Sequence, residues 1–350
     1  MSLLAAPALP LLDAVACEPT LAAASATAVT TTAAASVSEG EAPIRLQPRH
    51  GDGVRAVRLR WRLHGAAGAP LLAVLGGISA DRRVAGDAGE PGWWDALAGP
   101  GRAIDPARQR ILGIDWLDAR DLGAPAVASA DQADALAALL DALALPRLHV
   151  LVGSSYGAMV GLAFAARHPQ RLQRLIAIAG AHRAHPQAAA LRAVQRAIVR
   201  FALESGNAAT GLALARQLAM IGYRSPRELA RRFTAPATLQ DGRVHVAAED
   251  WLQAAGARFV QRFDAEHFLS LSESIDLHAV DPAAVHVPTT LIGFATDQLV
   301  PVADLCALQR GLGASCELHV LDSDYGHDAF LKEAVALGAL LRGCLASCGG

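Results

Sequence analysis

A pentapeptide in the middle of the chain, Gly153–Gly157 (GSSYG), constrains the fold more than any other stretch. An apolar run at 148–152 precedes it, and a run of small and apolar residues at 158–166 follows it. This pattern predicts a buried strand, a sharp turn and a helix, because the two glycines allow a turn that a Cβ atom would obstruct. In a chain with 31 glycines the pentapeptide alone can arise by accident. With the strand and helix around it, it predicts that Ser155 is a nucleophile for acyl transfer.

The rest of the chain alternates between short apolar runs and segments with helical periodicity. Residues 129–145 have the pattern of a helix. Strand-like runs occur at 57–63, 70–75, 110–115, 172–179, 289–294 and 317–321. Strands that alternate with helices are typical of a mostly parallel α/β sheet with both faces covered.

We expect four segments along the chain. Residues 1–40 are rich in alanine, serine and threonine and lack a basic start, which predicts a flexible N-terminal extension. A weakly cleaved export signal is the alternative for that stretch. Residues 41–181 and 280–350 form the two parts of the α/β core. Residues 182–279 are mostly helical in pattern and too long for one crossover connection, which predicts an inserted helical lid.

Composition narrows the functional classes. The 350 residues carry a net charge of −2, which gives no indication of a nucleic-acid or membrane-surface partner. No run of 18 or more purely apolar residues occurs, so we expect no membrane-spanning helix. The five cysteines are odd in number and lack metal-ligand spacing, which favours a reduced cytoplasmic protein without a metal. They are Cys17, Cys306, Cys316, Cys344 and Cys348.

A serine nucleophile requires a base, and the base requires a carboxylate that orients it. On an elbow of this kind the chain order is serine, acid, histidine. Asp297 follows the late strand-like run, and His327 lies in the segment beyond the last one. Other histidines have simpler interpretations: His168 fits a helix end, and His319 fits the outward face of a strand.

Two backbone N–H groups should bind the oxyanion of the acyl-transfer intermediate. The residue after the nucleophile, Tyr156, supplies the first. The loop at 76–80 (GGISA) follows an earlier strand-like run, and its glycines allow close backbone approach. Ile78 in that loop is therefore the candidate for the second donor, although Gly76-Gly77 can also be a simple turn.

Three further stretches resemble the MetX-type homoserine O-acyltransferases, a branch of the α/β hydrolases. They are residues 92–105, residues 216–225 and the segment at 326–331 (GHDAFL), and the resemblance extends over roughly 70–335. It implies an α/β-hydrolase fold and transfer of an acyl group from a coenzyme A thioester to the hydroxyl of homoserine. It also implies that Ser155 is acylated, that His327 relays protons and that Asp297 orients the histidine.

The resemblance also assigns the amino-acid site. Arg216 and Tyr223 match lid positions that hold the acceptor, and Asp328 matches the acid that holds its ammonium group. A zwitterion needs a guanidinium for its carboxylate and a carboxylate for its ammonium, so this assignment is physically reasonable. Arg216 and Tyr223 are two helical turns apart and would share one face of a continuous helix. A solvated lid arginine and a helix N-cap are the simpler interpretations of Arg216 and Asp328.

Departures from the acetyltransferase pattern indicate the succinyltransferase subset. The loop reads GGISA instead of HALTG, and Gln298 stands where tryptophan is common. Gln298 leaves more room beside the acyl site, and Arg82 or Arg83 can pair with a succinyl carboxylate. We therefore expect succinyl-CoA as co-substrate, L-homoserine as acceptor and no resident cofactor. We also expect the enzyme to be a homodimer and to serve methionine biosynthesis.

Several alternatives remain open. The same residues are compatible with a homoserine O-acetyltransferase, a serine O-succinyltransferase, an ester hydrolase or a non-catalytic binding protein. The Arg216–Asp328 combination argues against an esterase, which has no zwitterion to bind. Arg192, Arg196 and Arg200 recur every four residues and fit either coenzyme A phosphates or a solvated lid face.

Overall fold

The computed structural model describes residues 36–87 and 89–346. Within them, eight strands form one sheet in the order β1-β2-β4-β3-β5-β6-β9-β10, and β7 and β8 form a separate hairpin. The strands are β1 (Val37–Leu46), β2 (Arg55–His64), β3 (Leu71–Leu75), β4 (Arg110–Ile114), β5 (Leu148–Ser154), β6 (Leu172–Ile178), β7 (Thr238–Gln240), β8 (Arg243–His245), β9 (Thr289–Phe294) and β10 (Cys316–Leu321).

Strand direction in the sheet places the site. β2 runs antiparallel to both β1 and β4, whereas neighbouring strands from β4 to β10 are parallel. Every residue of β3 and β9 is buried, as expected where helices cover both faces of a parallel sheet. Because parallel strands end at the same edge, Leu75, Ser154 and Phe294 bring the following loops together. The predicted mostly parallel α/β sheet is confirmed.

The helices cover the sheet and fill the segment between β6 and β9. They are α1 (Ala119–Leu122), α2 (Ser129–Ala142), α3 (Tyr156–Arg167), α4 (Pro186–Glu204), α5 (Ala208–Tyr223), α6 (Pro226–Arg232), α7 (Ala247–Phe259), α8 (Ala265–Asp276), α9 (Val302–Gly311), α10 (Ala329–Lys332) and α11 (Ala334–Ala346). Single 3₁₀ turns occur at Pro169–Arg171, Pro282–Ala284 and Gly326–Asp328. In these described ranges no helix is long and apolar enough to cross a membrane.

The segment predicted as a lid contains α4 to α8 and the β7–β8 hairpin. Its two ends meet, because Arg183 and Ala279 form an isolated antiparallel bridge and Val280 N–H donates to the carbonyl of His182 at 2.9 Å. α4 packs on α5, and α5 packs on α7. An insertion closed at its base in this way can present side chains to a site without interrupting the sheet.

The N-terminal prediction requires a correction at its boundary. Residues 1–35 of the expected extension lie outside the described part of the chain. Val37 to Gly40, which the sequence analysis included in that extension, belong to β1 and pair with β2. Ala42, Ile44 and Leu46 are buried on β1. Their alternation with exposed residues is a strand pattern, so the folded core begins before residue 41.

Candidate active site

Ser155 occupies a strained turn between β5 and α3. Its backbone has φ of 54° and ψ of −117°, a region that residues with a side chain rarely adopt. A Cβ atom on Gly153 would collide with the carbonyl of Gly157, and one on Gly157 would collide with the carbonyl of Leu75. Both glycines are therefore sterically required, and the sharp turn predicted from the pentapeptide is present.

The structure brings Ser155, His327 and Asp297 into one hydrogen-bonded relay. Ser155 Oγ lies 2.8 Å from His327 Nε2, and His327 Nδ1 lies 2.7 Å from Asp297 Oδ2. Asp297 follows β9, and its side chain is 0% exposed. Its other oxygen accepts hydrogen bonds from the N–H groups of Leu299 and Val300 at 2.8 and 3.0 Å. These bonds fix the carboxylate, so the histidine ring can present Nε2 to the serine.

The environment of His327 prepares it to act as a base. Burial of the ring acts to lower its pKa, but the negative charge and hydrogen bond of Asp297 outweigh burial. Asp328 also raises the pKa, whereas the positive charge of Arg192 lowers it. The net result is that the pKa of His327 is raised above its ordinary value of 6.5. A base of this strength is suited to removing a proton from a hydroxyl near neutral pH.

The two oxyanion-hole candidates lie on the cavity that contains Ser155, together with Gly77 and Ser79. Trp116 Nε1 donates to the carbonyl of Gly77 at 3.0 Å, and its indole packs edge-on against Tyr156. In a trans peptide the N–H points away from the carbonyl, so this bond directs the N–H of Ile78 away from Trp116. Trp116 has no motif of its own and is not predicted by the sequence pattern.

Arg216 and Tyr223 lie on α5 as the spacing predicts. The Arg216 guanidinium carbon is 5.2 Å from the centre of the Tyr223 ring, which stacks on His327 at 5.9 Å. On its other side Arg216 lies 4.9 Å from the Phe259 ring. Within the described ranges its side chain forms no ion pair. The guanidinium is thus positioned near the relay with its charge uncompensated.

Asp328 faces the same cavity as part of a buried charge cluster. Its Oδ2 accepts from Arg224 Nε at 2.9 Å, and Arg224 Nη1 donates to both oxygens of Glu228 at 2.9 and 3.0 Å. One guanidinium and two carboxylates leave one negative charge in excess. Exposed Arg232 lies 3.9 Å from Glu228 and offsets this charge only weakly. Arg224 directly follows Tyr223 but was not among the predicted site residues.

Three residues expected at the acyl site do not line this cavity, and the expectation is corrected for each. Arg82 pairs with Asp115 at 2.9 Å, and Arg83 pairs with Glu90 at 2.8 Å. Their guanidinium groups are held by these acids after the oxyanion loop. Gln298 is half-buried but off the cavity wall, which Leu299 and Val300 form instead.

The three arginines at four-residue spacing on α4 form ion pairs with α8. Arg192 and Arg196 both bind Asp276, with N–O distances of 2.6 Å, and Arg200 pairs with Glu273. Arg192 and Arg196 are only 14% and 13% exposed at their side chains, so the solvated-face interpretation fails for both. Of the three, Arg192 alone lines the cavity with Ser155.

A larger groove of about 1300 Å³ adjoins the narrow catalytic cavity, whose volume is about 100 Å³. Ile78, Ser79 and Arg216 line both, so the groove opens onto the nucleophile at the oxyanion loop. Arg258 and Arg262 line the groove as exposed residues. Their guanidinium groups have no ion-pair partner in the part of the chain that the structure describes. Among those same residues, no group of three or more His, Cys, Asp or Glu side chains could hold a metal ion.

Comparisons with known proteins agree with this arrangement. A family model described as alpha/beta hydrolase fold matches residues 88–334. The chain is 54% identical over 313 residues to a homoserine O-succinyltransferase of Xanthomonas campestris pv. campestris, covering 89% of this chain and 84% of the relative. It is 31% identical to a homoserine O-acetyltransferase of Trichlorobacter lovleyi, covering 87% and 95%. The crystal structure of esterase E22 superposes with a TM-score of 0.77 at 21% identity, covering 89% and 100%. The expected α/β-hydrolase fold is confirmed.

Proposed function

The chain belongs to the homoserine O-acyltransferases of the α/β-hydrolase family, and on that premise we propose that it is a homoserine O-succinyltransferase. It is an acyltransferase with a serine nucleophile. The donor in this proposal is succinyl-CoA, the acceptor is L-homoserine, and the reaction serves methionine biosynthesis. Three further points stay predictions: the enzyme is a homodimer, it acts in the cytoplasm, and it has no resident cofactor.

One observation carries the proposal: the relay serine shares a cavity with an uncompensated guanidinium and a buried carboxylate. Arg216 and Asp328 both line the cavity of Ser155. An ester hydrolase activates water and needs neither charge, whereas an amino-acid acceptor presents a carboxylate and an ammonium group together. The excess negative charge of the Arg224–Glu228–Asp328 cluster favours the ammonium, and Arg216 favours the carboxylate.

Acylation is the first half of the proposed reaction. Ser155 Oγ attacks the thioester carbonyl while His327 Nε2 takes the hydroxyl proton. The N–H groups of Tyr156 and Ile78 bind the oxyanion of the tetrahedral intermediate. As that intermediate collapses, the carbon–sulfur bond breaks and His327 returns the proton to the departing coenzyme A thiolate. The acyl group is then an ester on Ser155.

Transfer is the second half. The homoserine hydroxyl attacks the acyl ester, and His327 takes its proton. Collapse of the second tetrahedral intermediate breaks the bond to Ser155 Oγ, which regains the proton from the histidine. Arg216 and Asp328 hold the zwitterion so that its hydroxyl, rather than water, occupies the position of attack. One serine that serves both substrates in turn implies a ping-pong mechanism.

The groove supports a large phosphorylated donor. Its wall includes Arg258 and Arg262, which are four residues apart and form no ion pair with a described acid. Guanidinium groups bind phosphate oxygens with two parallel hydrogen bonds, and coenzyme A carries a diphosphate and a further phosphate. The pantetheine arm has about the length of four extended residues, roughly 14 Å. The His327 and Tyr223 rings are 5.9 Å apart, and the Arg216 guanidinium carbon lies 5.2 Å from the Tyr223 ring and 4.9 Å from the Phe259 ring. Phe259 directly follows Arg258 in the chain, so these contacts connect the relay to the groove arginines.

A two-by-two assay tests the proposal. The purified protein is offered succinyl-CoA or acetyl-CoA with L-homoserine or L-serine, and thiol release and ester product are both measured. We expect O-succinylhomoserine to form with the highest kcat/KM of the four products. A preference for acetyl-CoA, or for serine, would replace the proposed donor or acceptor. Thiol release that does not depend on any amino acid would indicate a hydrolase.

A further inference from the structure

Two polar side chains on α4, Arg192 and Gln195, line the catalytic cavity and can donate hydrogen bonds into it. Gln195 is 6% exposed, and its side-chain amide makes no hydrogen bond to a described residue. Arg192 donates from Nε to Asp276 Oδ1 at 2.8 Å, and its buried Nη2 lies 2.6 Å from that same oxygen without hydrogen-bond geometry. Both contacts of Arg192 fall on one carboxylate oxygen, and a guanidinium carries five N–H donors, so Arg192 and the Gln195 amide can both donate to a ligand in the cavity.

The sign of the local charge indicates what that ligand carries. Arg192 and Arg196 share the single carboxylate of Asp276, which leaves one positive charge in excess. The charge of Arg192 acts on the relay itself, since it lowers the pKa of His327 against the effect of Asp297. A buried excess cation is costly unless an anion completes it. Gln195 lies three residues from Arg192 on the same helix face and can donate to that same anion.

The contacts proposed for the acceptor leave Arg192 to the acyl group. Arg216 lines both the groove and the catalytic cavity, whereas Arg192 and Gln195 line only the cavity. The donor enters from the groove, so the far end of its acyl group extends inward past Ser155. In the proposed function the acceptor binds Arg216 through its carboxylate and binds Asp328, which also lines only the cavity, through its ammonium group. The inner cation is therefore available to the acyl group.

We propose that Arg192 and Gln195 bind the distal carboxylate of a dicarboxylic acyl group and so select succinyl over neutral acyl groups. This inference rests on the proposed function, since it names the residues that recognise its donor. Arg192 would then be the cation that pairs with the succinyl carboxylate, a role predicted from the sequence for Arg82 or Arg83.

The test compares succinyl-CoA with succinamyl-CoA, a donor of the same shape in which an amide replaces the distal carboxylate. Acyl-enzyme formation is followed by rapid quench and mass spectrometry without acceptor. We expect the wild type to favour succinyl-CoA by about 30-fold in acylation kcat/KM, as for loss of one charge-assisted hydrogen bond. In Arg192→Gln this preference should fall below about 3-fold.

Arg200→Gln is the matched control. Arg200 also joins α4 to α8 through an ion pair, but it does not line the cavity. It should keep the wild-type preference, which separates loss of carboxylate recognition from loosening of the two helices. Gln195→Leu provides a second variant with the Arg192 ion pair intact, and it should lower the preference by about 5-fold.

Three results would overturn the inference. One is a wild type that acylates equally fast with both donors, a measurement that needs no variant to fold. Another is Arg192→Gln with the full preference. The third is Arg192→Gln with unchanged succinyl acylation but weakened homoserine binding, which would assign Arg192 to the acceptor. In each case transfer of succinyl to homoserine by the wild type would still support the proposed function, whereas its absence would refute that function separately.

Discussion

Replacing Arg216 with alanine should impair use of homoserine while leaving acylation almost unchanged. The guanidinium has no described ion-pair partner, so its bond to an acceptor carboxylate does not require an existing salt bridge to break. A hydrogen bond to a charged group contributes about 1.5–3 kcal/mol, which is roughly 10- to 150-fold in kcat/KM for homoserine. The ring contacts with Tyr223 and Phe259 contribute about 0.5–1 kcal/mol each to folding stability. Their loss in the variant affects both half-reactions equally.

The two half-reactions can be measured separately. Mixing the variant with succinyl-CoA alone gives the acylation rate from thiol release and from the mass of the acyl-enzyme. Adding homoserine to the preformed acyl-enzyme gives the transfer rate, and omitting it gives slow hydrolysis by water. Hydrolysis should survive in Arg216→Ala, because water needs no guanidinium. Arg216→Lys keeps the charge without the planar fork and should recover part of the transfer rate.

The opposite partition would refute this reasoning. Arg216 also lines the groove and lies against Phe259, so a role in donor binding is the physical competitor. If Arg216→Ala slows acylation and leaves the apparent affinity for homoserine unchanged, Arg216 belongs to the donor site. The amino-acid site would then have to be sought around Asp328 without it.

Four further predictions concern the relay and the groove. Ser155→Ala should lose activity by about 10⁴-fold or more and show no succinyl adduct with succinyl-CoA, whereas residual activity above about a tenth of wild type would exclude Ser155 as nucleophile. Acylation requires neutral His327, whose pKa is raised, so kcat/KM should rise with pH through an inflection above 6.5 and level off beyond it. Asp297→Asn removes the main cause of that shift, so its residual rate, about 10⁴-fold lower, should show the inflection at lower pH, and an unmoved inflection would contradict the assignment. The double variant Arg258→Gln with Arg262→Gln should raise KM for succinyl-CoA by about 10-fold and flatten its dependence on salt, and an unchanged KM would place the phosphates elsewhere.

Chain order and local pattern were sufficient to predict the sheet and the relay. In a parallel sheet the loops after successive strands meet at one edge, so Ser155 after β5 and Asp297 after β9 had to lie near each other. His327 follows β10 and reaches the same edge. The strain at Ser155 was also readable, because glycines on both sides of a serine allow a turn that few other sequences can form.

Side chains that meet across the lid could not be predicted in the same way. The sequence suggested Arg82 and Arg83 as partners for a succinyl carboxylate because they follow the oxyanion loop. Ion pairs with Asp115 and Glu90 hold the two side chains away from the cavity, and no local sequence pattern predicts these pairs. Arg192 had a periodic neighbour pattern typical of a solvated face, yet α8 covers that face and leaves Arg192 on the cavity.

The charges around the relay, rather than the relay itself, distinguish this chain from an esterase of the same fold. Any acyl-enzyme in water risks hydrolysis, so transfer requires an acceptor bound tightly enough to exclude water from the position of attack. In the proposed function, two buried clusters of opposite excess charge provide that selectivity. Among the described residues, the Arg192–Arg196–Asp276 cluster has one positive charge in excess, and the Arg224–Glu228–Asp328 cluster has one negative charge in excess that exposed Arg232 offsets only weakly. Each charge left unpaired costs folding stability, and that cost falls only when the substrate of the right sign completes the cluster.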